Sequence, residues 1–121
     1  YLQNFIGDIK KKEFSDIRVL VSNHEVISSI KRRSSNAITN FSKGSIVEKI
    51  EISKKLSQIC KFISRLFELG YGGIDIKINK NKVFILEINS IPSWKGVQSV
   101  EKRNIAKILV NNFIDLLKND K

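Results

Sequence analysis

Cysteine is nearly absent from this sequence, and long apolar runs, a signal peptide and repeats are absent as well. The 121 residues include a single cysteine, so no internal disulfide framework can form. No apolar run reaches the length of a membrane-spanning helix, no signal peptide is visible, and no repeat or low-complexity linker occurs. These absences favour a cytoplasmic protein of one domain, or part of one, and exclude a disulfide-stapled secreted fold.

Acidic residues are few relative to basic ones. The chain has 22 lysines and arginines against 12 aspartates and glutamates, which gives a formal net charge of +10. Such an excess is typical of proteins that bind anions, so nucleotide phosphates, RNA and acidic cofactors are candidate ligands. Lysine is abundant along the whole chain, however, and a solvated lysine-rich surface explains the same charge.

The most informative stretch is residues 70–94, GYGGIDIKINKNKVFILEINSIPSW, which predicts a β-hairpin. Side chains alternate between the two faces of a strand. The apolar residues predicted on one face are Ile74, Ile76 and Ile78 on the first strand and Phe84, Leu86 and Ile88 on the second. Asp75, Glu87 and Asn89 therefore share the opposite face.

The predicted register sets two carboxylates against each other. A three-residue loop at 80–82 pairs Asn79 with Val83, and this register places Asp75 directly opposite Glu87. Opposed Cβ atoms lie about 4.5–5.5 Å apart, close enough to share a cation, and carboxylate and amide oxygens suit Mg²⁺. An amphipathic hairpin with polar residues in water is the alternative. The matched register, with Asn89 on the same face, favours a metal site.

The segments GGIDIK and FILEINSIPSWKGVQ together resemble the end of an ATP-grasp ligase of the RimK type. In that family an Asp on one strand and a Glu-x-Asn on the next bind Mg-ATP, and an Asn-x-x-Pro segment follows. The resemblance implies that Asp75, Glu87 and Asn89 hold Mg²⁺, with Mn²⁺ as a substitute ion. It also implies an α+β fold, mainly an antiparallel sheet packed with two helices.

The resemblance covers nearly the whole chain and implies a nucleotide site. Residues 1–6, YLQNFI, match the hinge strand that contacts adenine. The residues implied to contact ATP are Asn4, Phe5, Asp16, Arg18, Ile38, Thr39 and Asn40. Arg32 or Arg33 would face the phosphoryl or acyl group, because the planar guanidinium suits phosphates and carboxylates. From the residues alone, a structural ion pair is an equal explanation of the Asp-x-Arg spacing at Asp16.

Other predictions concern the framework. Residues 7–15 predict a polar loop, and residues 16–30 predict a second hairpin with His24 exposed in its turn. Residues 45–52 predict a further strand. Ser53 is expected to cap a helix that ends at Leu69, with Gly70 as its C′ residue. Its buried stripe would be Leu56, Ile59, Cys60, Ile63, Leu66 and Phe67. A final helix, residues 100–118, would bury Ile105, Ile108, Leu109, Phe113, Leu116 and Leu117. Trp94 would stack on a substrate or act as a structural plug.

By resemblance, the intact protein would be an ATP-dependent carboxylate–amine ligase that forms an amide through an acylphosphate. The branch most similar adds L-glutamate to tetrahydromethanopterin-type cofactors, while a protein C-terminus, a deazaflavin cofactor and lysine biosynthesis remain open. The chain, residues 1–121, would be the C-terminal portion of an ATP-grasp domain, without its N-terminal domains and inactive alone. The resemblance gives no membrane partner and allows a homo-oligomer.

Two other classes of function remain. A basic nucleic-acid-binding module would bind RNA in a salt-sensitive way, and this binding would survive the loss of Asp75 and Glu87. A degenerate ATP-grasp domain with a structural role would fold without binding Mg-nucleotide.

Overall fold

The computed structural model describes residues 14–34, 46–90 and 92–119. The elements in chain order are β1 Phe14–Ser22, β2 Glu25–Ser34, β3 Ile46–Lys49, α1 Lys54–Leu66, β4 Tyr71–Asn79, β5 Lys82–Asn89, α2 Lys95–Gln98 and α3 Ile105–Asn119. Several predictions lie outside the described residues, namely those for Asn4, Phe5, Ile38, Thr39 and Asn40. β1 begins inside the loop predicted at 7–15, and β3 is shorter than the strand predicted at 45–52. No helix in the described ranges is long and apolar enough to cross a membrane.

The five strands form one sheet in the order β3-β2-β1-β4-β5, and every neighbouring pair is antiparallel. β1 is the central strand, flanked by its hairpin partner β2 and by β4. The pairing of β1 with β4 therefore joins two hairpins that are far apart in sequence. The predicted α+β class, with a mainly antiparallel sheet and helices packed on it, is confirmed.

Each face of the sheet carries its own hydrophobic core. On one face α1 packs against the central strands, and the buried residues are Val19, Val21, Leu56, Cys60, Ile63, Leu69, Ile74 and Ile76. On the other face α2 and α3 cover part of the sheet, and the buried residues are Leu20, Ile27, Ile30, Val97 and Ile105. Cys60 is fully buried in the first core, as its position in the helical stripe predicted.

The β4–β5 hairpin pairs Asp75 with Glu87 as predicted, but its turn differs from the predicted one. Its turn has two residues, Lys80 and Asn81, both with positive φ, of 51° and 66°. Asn79 therefore pairs with Lys82, and the predicted three-residue loop is wrong. A β-bulge next to Asp75 adds one residue to β5 and restores the register. The predicted pairing of Asp75 with Glu87 is confirmed.

The same bulge changes which side chains of β5 face the core. Between the turn and the bulge, Phe84 pairs with Lys77 and Ile85 pairs with Ile76. Directly paired residues share a face, so Phe84 lies on the polar side with Asp75. The prediction that Phe84 faces the core with Ile76 is wrong, because the shorter turn shifts the register by one residue up to the bulge.

Helix α1 begins as predicted and ends early. The Ser53 hydroxyl accepts a hydrogen bond from the Leu56 N–H at 3.1 Å, which confirms the predicted cap. The helix ends at Leu66, and the residue with positive φ after it is Glu68, at 54°. The prediction of a helix to position 69 with a glycine C′ residue is therefore wrong. Leu66 and Phe67 are 62% and 55% exposed, so the predicted buried stripe ends at Ile63.

The β1–β2 turn docks against the end of α1. The Asn23 N–H donates to the Gly70 carbonyl at 2.8 Å, and His24 Nδ1 lies 2.8 Å from the Ser64 hydroxyl. His24 is half-buried, so the prediction of an exposed turn residue is wrong. The Ser64 hydroxyl donates to the Leu69 carbonyl at 3.1 Å, so it accepts from His24.

The C-terminal helix predicted at 100–118 is α3, which begins later, at Ile105, and the short helix α2 comes before the predicted range. Ile105 is fully buried, and Ile108 and Leu109 pack against the second core as predicted. The prediction that the later residues are buried is wrong, because the core contacts of α3 end in its first turns. The exposed residues are Phe113 at 60%, Leu116 at 41% and Leu117 at 55%.

Candidate functional site

Polar side chains from four strands meet on one face of the sheet. β1 and β2 pair Asp16 with Arg32, β1 and β4 pair Arg18 with Asp75, and β4 and β5 pair Asp75 with Glu87. Asn89 lies opposite Gly73, on the same face. Because paired residues share a face, these pairings define one polar cluster, whose members are Asp16, Arg18, Arg32, Asp75, Glu87 and Asn89.

Two arginines bind the aspartates of the polar cluster. Arg18 donates to both carboxylate oxygens of Asp75, from Nε to Oδ1 at 2.8 Å and from Nη2 to Oδ2 at 3.0 Å. Arg32 binds Asp16 in the same two-pronged way, at 2.8 Å and 2.5 Å. Arg32 Nη2 also lies 3.3 Å from Asp75 Oδ2. Bidentate guanidinium–carboxylate pairs are strong and directional, so the orientation of Asp75 is closely defined.

The polar cluster is buried on the β1 side and open on the β5 side. Asp16, Asp75 and Arg32 are 7%, 5% and 9% exposed, whereas Glu87 is exposed. Burial raises the pKa of Asp16, and the hydrogen bonds and charge of Arg32 act in the opposite direction. The hydrogen bond to Asp75 raises the pKa of Arg18. Arg18 therefore stays charged, and the open side at Glu87 is where a ligand can approach.

The donor set fits a divalent cation shared with another ligand. Asp75 and Glu87 are directly opposed across two strands, and Asn89 follows on the same face. Within the described ranges, no group of three or more histidines, cysteines or carboxylates could hold a metal ion. Mg²⁺ is typically bound by one or two carboxylates together with substrate phosphates. Two carboxylates and an amide match that requirement, with phosphates completing the coordination.

The structure distinguishes the two arginines that the sequence left as alternatives. Arg32 lies in the polar cluster, whereas Arg33 pairs with Ser15 and Ile46 and faces the other side of the sheet. Arg33 Nη2 lies 3.7 Å from Glu48, a pair with both side chains partly exposed. Of the two, only Arg32 is positioned beside Asp75.

The chain after β5 folds back over the sheet next to the polar cluster. A Cβ at Gly73 would lie 3.0 Å from the Pro92 Cβ, so glycine allows the proline to pack there. The Tyr71 hydroxyl donates to the Pro92 carbonyl at 2.9 Å, and the Tyr71 ring meets Trp94 edge to face at 6.2 Å. The Trp94 contact supports the structural alternative for this residue, although 38% of it stays exposed.

Sequence reasoning assigned no role to Lys77 at the buried edge of the site. Lys77 follows Asp75 by two residues and therefore lies on the same face, opposite Phe84. Its Nζ donates to the Ser15 carbonyl at 2.6 Å and approaches the Ser15 hydroxyl at 3.4 Å. These bonds tie the middle of β4 to the start of β1. The signal for this role was the i, i+2 spacing of Lys77 from Asp75.

Sequence reasoning also missed a buried carboxylate between α2 and α3. Glu101 accepts hydrogen bonds from the Ser28 hydroxyl at 2.9 Å and from Arg103 Nη2 at 2.9 Å, and Lys49 Nζ lies 3.3 Å away. The hydrogen bonds from Arg103 hold the pKa of Glu101 well below its usual range. This contact attaches the segment between the two helices to β2. Nothing in the spacing of EKR distinguished it from a solvated charge run.

Comparison with known proteins assigns the family. A sequence model of the RimK-like ATP-grasp domain matches residues 1–113. The chain belongs to the RimK-like ATP-grasp family.

Relatives within the family are named as glutamate ligases. The chain is 32% identical over 118 residues to a tetrahydromethanopterin:alpha-L-glutamate ligase of Methanococcus maripaludis, covering 98% of this chain and 40% of that protein. It is 33% identical over 112 residues to a coenzyme gamma-F420-2:alpha-L-glutamate ligase of Methanocaldococcus jannaschii, covering 90% of this chain and 39% of that protein. The chain therefore spans about two fifths of the length of these relatives.

Solved structures agree with this assignment. The ATP-grasp ligase PsnB, solved with a phosphomimetic variant of its minimal precursor, Mg and ADP, superposes with a TM-score of 0.68. The two are 25% identical, and the match covers 84% of this chain and 32% of PsnB. A D-alanine–D-alanine ligase from Bacillus anthracis complexed with ATP has a TM-score of 0.55 at 13% identity over 88% of this chain and 40% of that one, which shows the shared fold alone.

Proposed function

We propose that this chain is the C-terminal part of the ATP-grasp domain of a Mg-ATP-dependent carboxylate–amine ligase that adds L-glutamate to a carboxylate acceptor. The observation that carries the proposal is the pairing of Asp75 with Glu87 on one face of the sheet, beside two arginines. Family membership supplies the reaction class. The names of the relatives, which are glutamate ligases acting on cofactors, support L-glutamate as the amine and a cofactor carboxylate as the acceptor.

The proposed reaction has two steps. The acceptor carboxylate attacks the γ-phosphorus of ATP, the bond to the β-phosphate oxygen breaks, and an acylphosphate and ADP result. The amine nitrogen of glutamate then attacks the acyl carbon, phosphate leaves, and the amine loses a proton as the amide forms. Neither step requires a nucleophile from the protein, so the residues act by positioning groups and by stabilising charge.

Individual residues receive distinct roles in this proposal. Asp75, Glu87 and Asn89 would hold Mg²⁺, for which Mn²⁺ would substitute, and the ion would neutralise phosphate charge. Arg18 and Arg32 would stabilise negative charge on the transferring phosphoryl group. The adenine and phosphate contacts are proposed for Asn4, Phe5, Ile38, Thr39 and Asn40, which lie outside the described ranges. Asp16, at the buried edge of the polar cluster, is proposed to contact ATP as well.

The experiment is ADP release by the intact protein with L-glutamate and a panel of acidic acceptors. Asp75→Asn and Glu87→Gln should each lower glutamate-dependent ADP release by at least about a hundredfold, since each removes a charged oxygen ligand from the ion. Asp115→Asn and Glu68→Gln make the same changes at exposed positions away from the polar cluster and should be near wild type. Turnover that survives both cluster variants, or folded protein that binds no Mg-ATP, would refute the proposal.

Location and assembly are part of the same proposal. The cytoplasm supplies ATP and Mg²⁺, so we place the enzyme there, and light scattering of the intact protein would establish whether it is a homo-oligomer. The nucleic-acid-binding and degenerate-domain alternatives are not favoured, since the relatives that match are named ligases.

A further inference from the structure

Both oxygens of Asp75, the first proposed metal ligand, are already bonded to cations of the protein. Arg18 donates to Oδ1 at 2.8 Å and to Oδ2 at 3.0 Å, and Arg32 lies 3.3 Å from Oδ2. The side chains of Arg18 and Asp75 are 16% and 7% exposed, so water screens this contact little. A divalent ion that binds Asp75 must therefore compete with Arg18 for the same carboxylate.

The two arginines differ in the hydrogen bonds that they keep if the Asp75 carboxylate binds a metal ion instead. Arg32 keeps its two hydrogen bonds to Asp16, at 2.8 Å and 2.5 Å. Arg18 loses the partner that receives both of its hydrogen bonds to a carboxylate. A poorly hydrated guanidinium without an anion is costly, so Arg18 needs a new anionic partner when the ion binds.

The charge of the polar cluster indicates what that anion is. The three carboxylates Asp16, Asp75 and Glu87 are balanced by Arg18, Arg32 and Lys77, which lies on the same face. A divalent ion makes the total charge positive, and an anion then restores the balance. A nucleotide phosphate offers oxygens that match the guanidinium fork, and it binds the ion at the same time.

We propose that Arg18 holds Asp75 in the free protein and moves to the phosphates of a nucleotide, so that Asp75 is released to the divalent ion only when the nucleotide is present. This inference rests on the proposed function and adds a coupling between its two ligands. Thermodynamic linkage requires that the coupling be reciprocal. Arg18 therefore lowers the affinity for the bare ion and raises the affinity for the metal-free nucleotide.

The test measures two affinities in the intact protein. Free Mn²⁺ is counted by electron paramagnetic resonance without nucleotide, and ADP binding is measured by calorimetry in EDTA. Arg18→Gln should bind bare Mn²⁺ about tenfold more tightly and metal-free ADP about tenfold more weakly, the scale of a charge-assisted hydrogen-bonded pair. A residue with a merely structural role would weaken both affinities, so opposite signs identify the exchange.

Two further variants separate charge from geometry. Arg18→Lys keeps the positive charge and loses the fork, so it should bind bare Mn²⁺ more tightly than wild type and less tightly than Arg18→Gln. If Arg18→Lys equals wild type, only the net charge matters and the proposal is overturned. Arg65→Gln makes the same substitution on the exposed side of α1 and should change neither affinity.

The remaining outcomes are also decisive. Unchanged or weaker Mn²⁺ binding by Arg18→Gln overturns the exchange, and if this variant fails to fold, the comparison of Arg18→Lys with wild type decides in the same way. Wild-type protein that binds neither Mn²⁺ nor ADP, alone or together, overturns the proposed function and this inference with it. Wild-type protein that binds both together, with no opposite signs in the variants, overturns this inference alone.

Discussion

Replacing Arg32 by glutamine is expected to destabilise the β1–β2 part of the sheet by about 3 kcal/mol at neutral pH, at the lower end of the range for breaking a buried ion pair. Arg32 and Asp16 form two hydrogen bonds, at 2.8 Å and 2.5 Å, with side chains 11% and 8% exposed. The loss is large because the variant leaves the Asp16 carboxylate buried without its cation. Exposed ion pairs contribute less than about 1 kcal/mol, because water screens them.

The penalty should depend on pH, with a sign that follows from Asp16. Burial raises the pKa of Asp16 above its ordinary value of 3.8, and Arg32 is the main group that lowers it again. Without Arg32 the folded-state pKa rises further. A carboxyl whose pKa is higher in the folded than in the unfolded protein contributes stability at a pH below its unfolded-state pKa. This stability is lost as the pH rises through its folded-state pKa. The Arg32→Gln penalty should therefore be smallest in mild acid and grow towards neutral pH.

Hydrogen exchange of the intact protein, read by mass spectrometry on β1 and β2 peptides, measures this effect locally. At neutral pH the variant should exchange on the order of a hundredfold faster than wild type, since each 1.36 kcal/mol is about tenfold. Arg33→Gln is the matched control, because its 3.7 Å pair with Glu48 is partly exposed and lies on the other face. Equal effects of the two substitutions, or an Arg32→Gln penalty independent of pH, would refute the reasoning.

Three further predictions concern packing. Gly73→Ala places a Cβ 3.0 Å from Pro92, so overpacking should cost about 1–3 kcal/mol in thermal unfolding, whereas Gly70→Ala meets open space and should not show this loss. His24→Ala removes a 2.8 Å hydrogen bond to a buried serine of α1 and should cost about 1 kcal/mol, seen as faster hydrogen exchange at the end of that helix; unchanged exchange would contradict it. Burial raises the pKa of Cys60 to about 11, so iodoacetamide at pH 8 should label it only after urea unfolding, and labelling of the folded protein would show that the core is open.

The sequence predicted the local pairs of this site and missed the long-range ones. The opposition of Asp75 and Glu87 follows from alternation within one hairpin, and it survived an error in the turn because the bulge compensated. The bonds of Arg18 and Arg32 to Asp75 depend on β1 pairing with β4, and neither alternation nor turn chemistry specifies that strand order. Side-chain periodicity likewise predicted an apolar stripe on α1 and α3, but it could not show which residues of each stripe contact the sheet.

The polar face of the sheet also bears on the basic charge of the chain. Near the β1–β2 turn this face is apolar, and α2 and α3 cover it through Leu20 and Ile30. Along the same strands, away from that turn, Arg18 and Asp75 begin the polar cluster, in which carboxylates outnumber arginines. The excess of lysine and arginine therefore lies outside this cluster. With Lys77 on the same face, the carboxylates and cations of the described residues balance here, so this part of the sheet offers a polyanion such as RNA no net positive charge. A compact phosphate that arrives with a divalent ion fits this charge distribution, which favours a nucleotide over a nucleic acid as the ligand of this face.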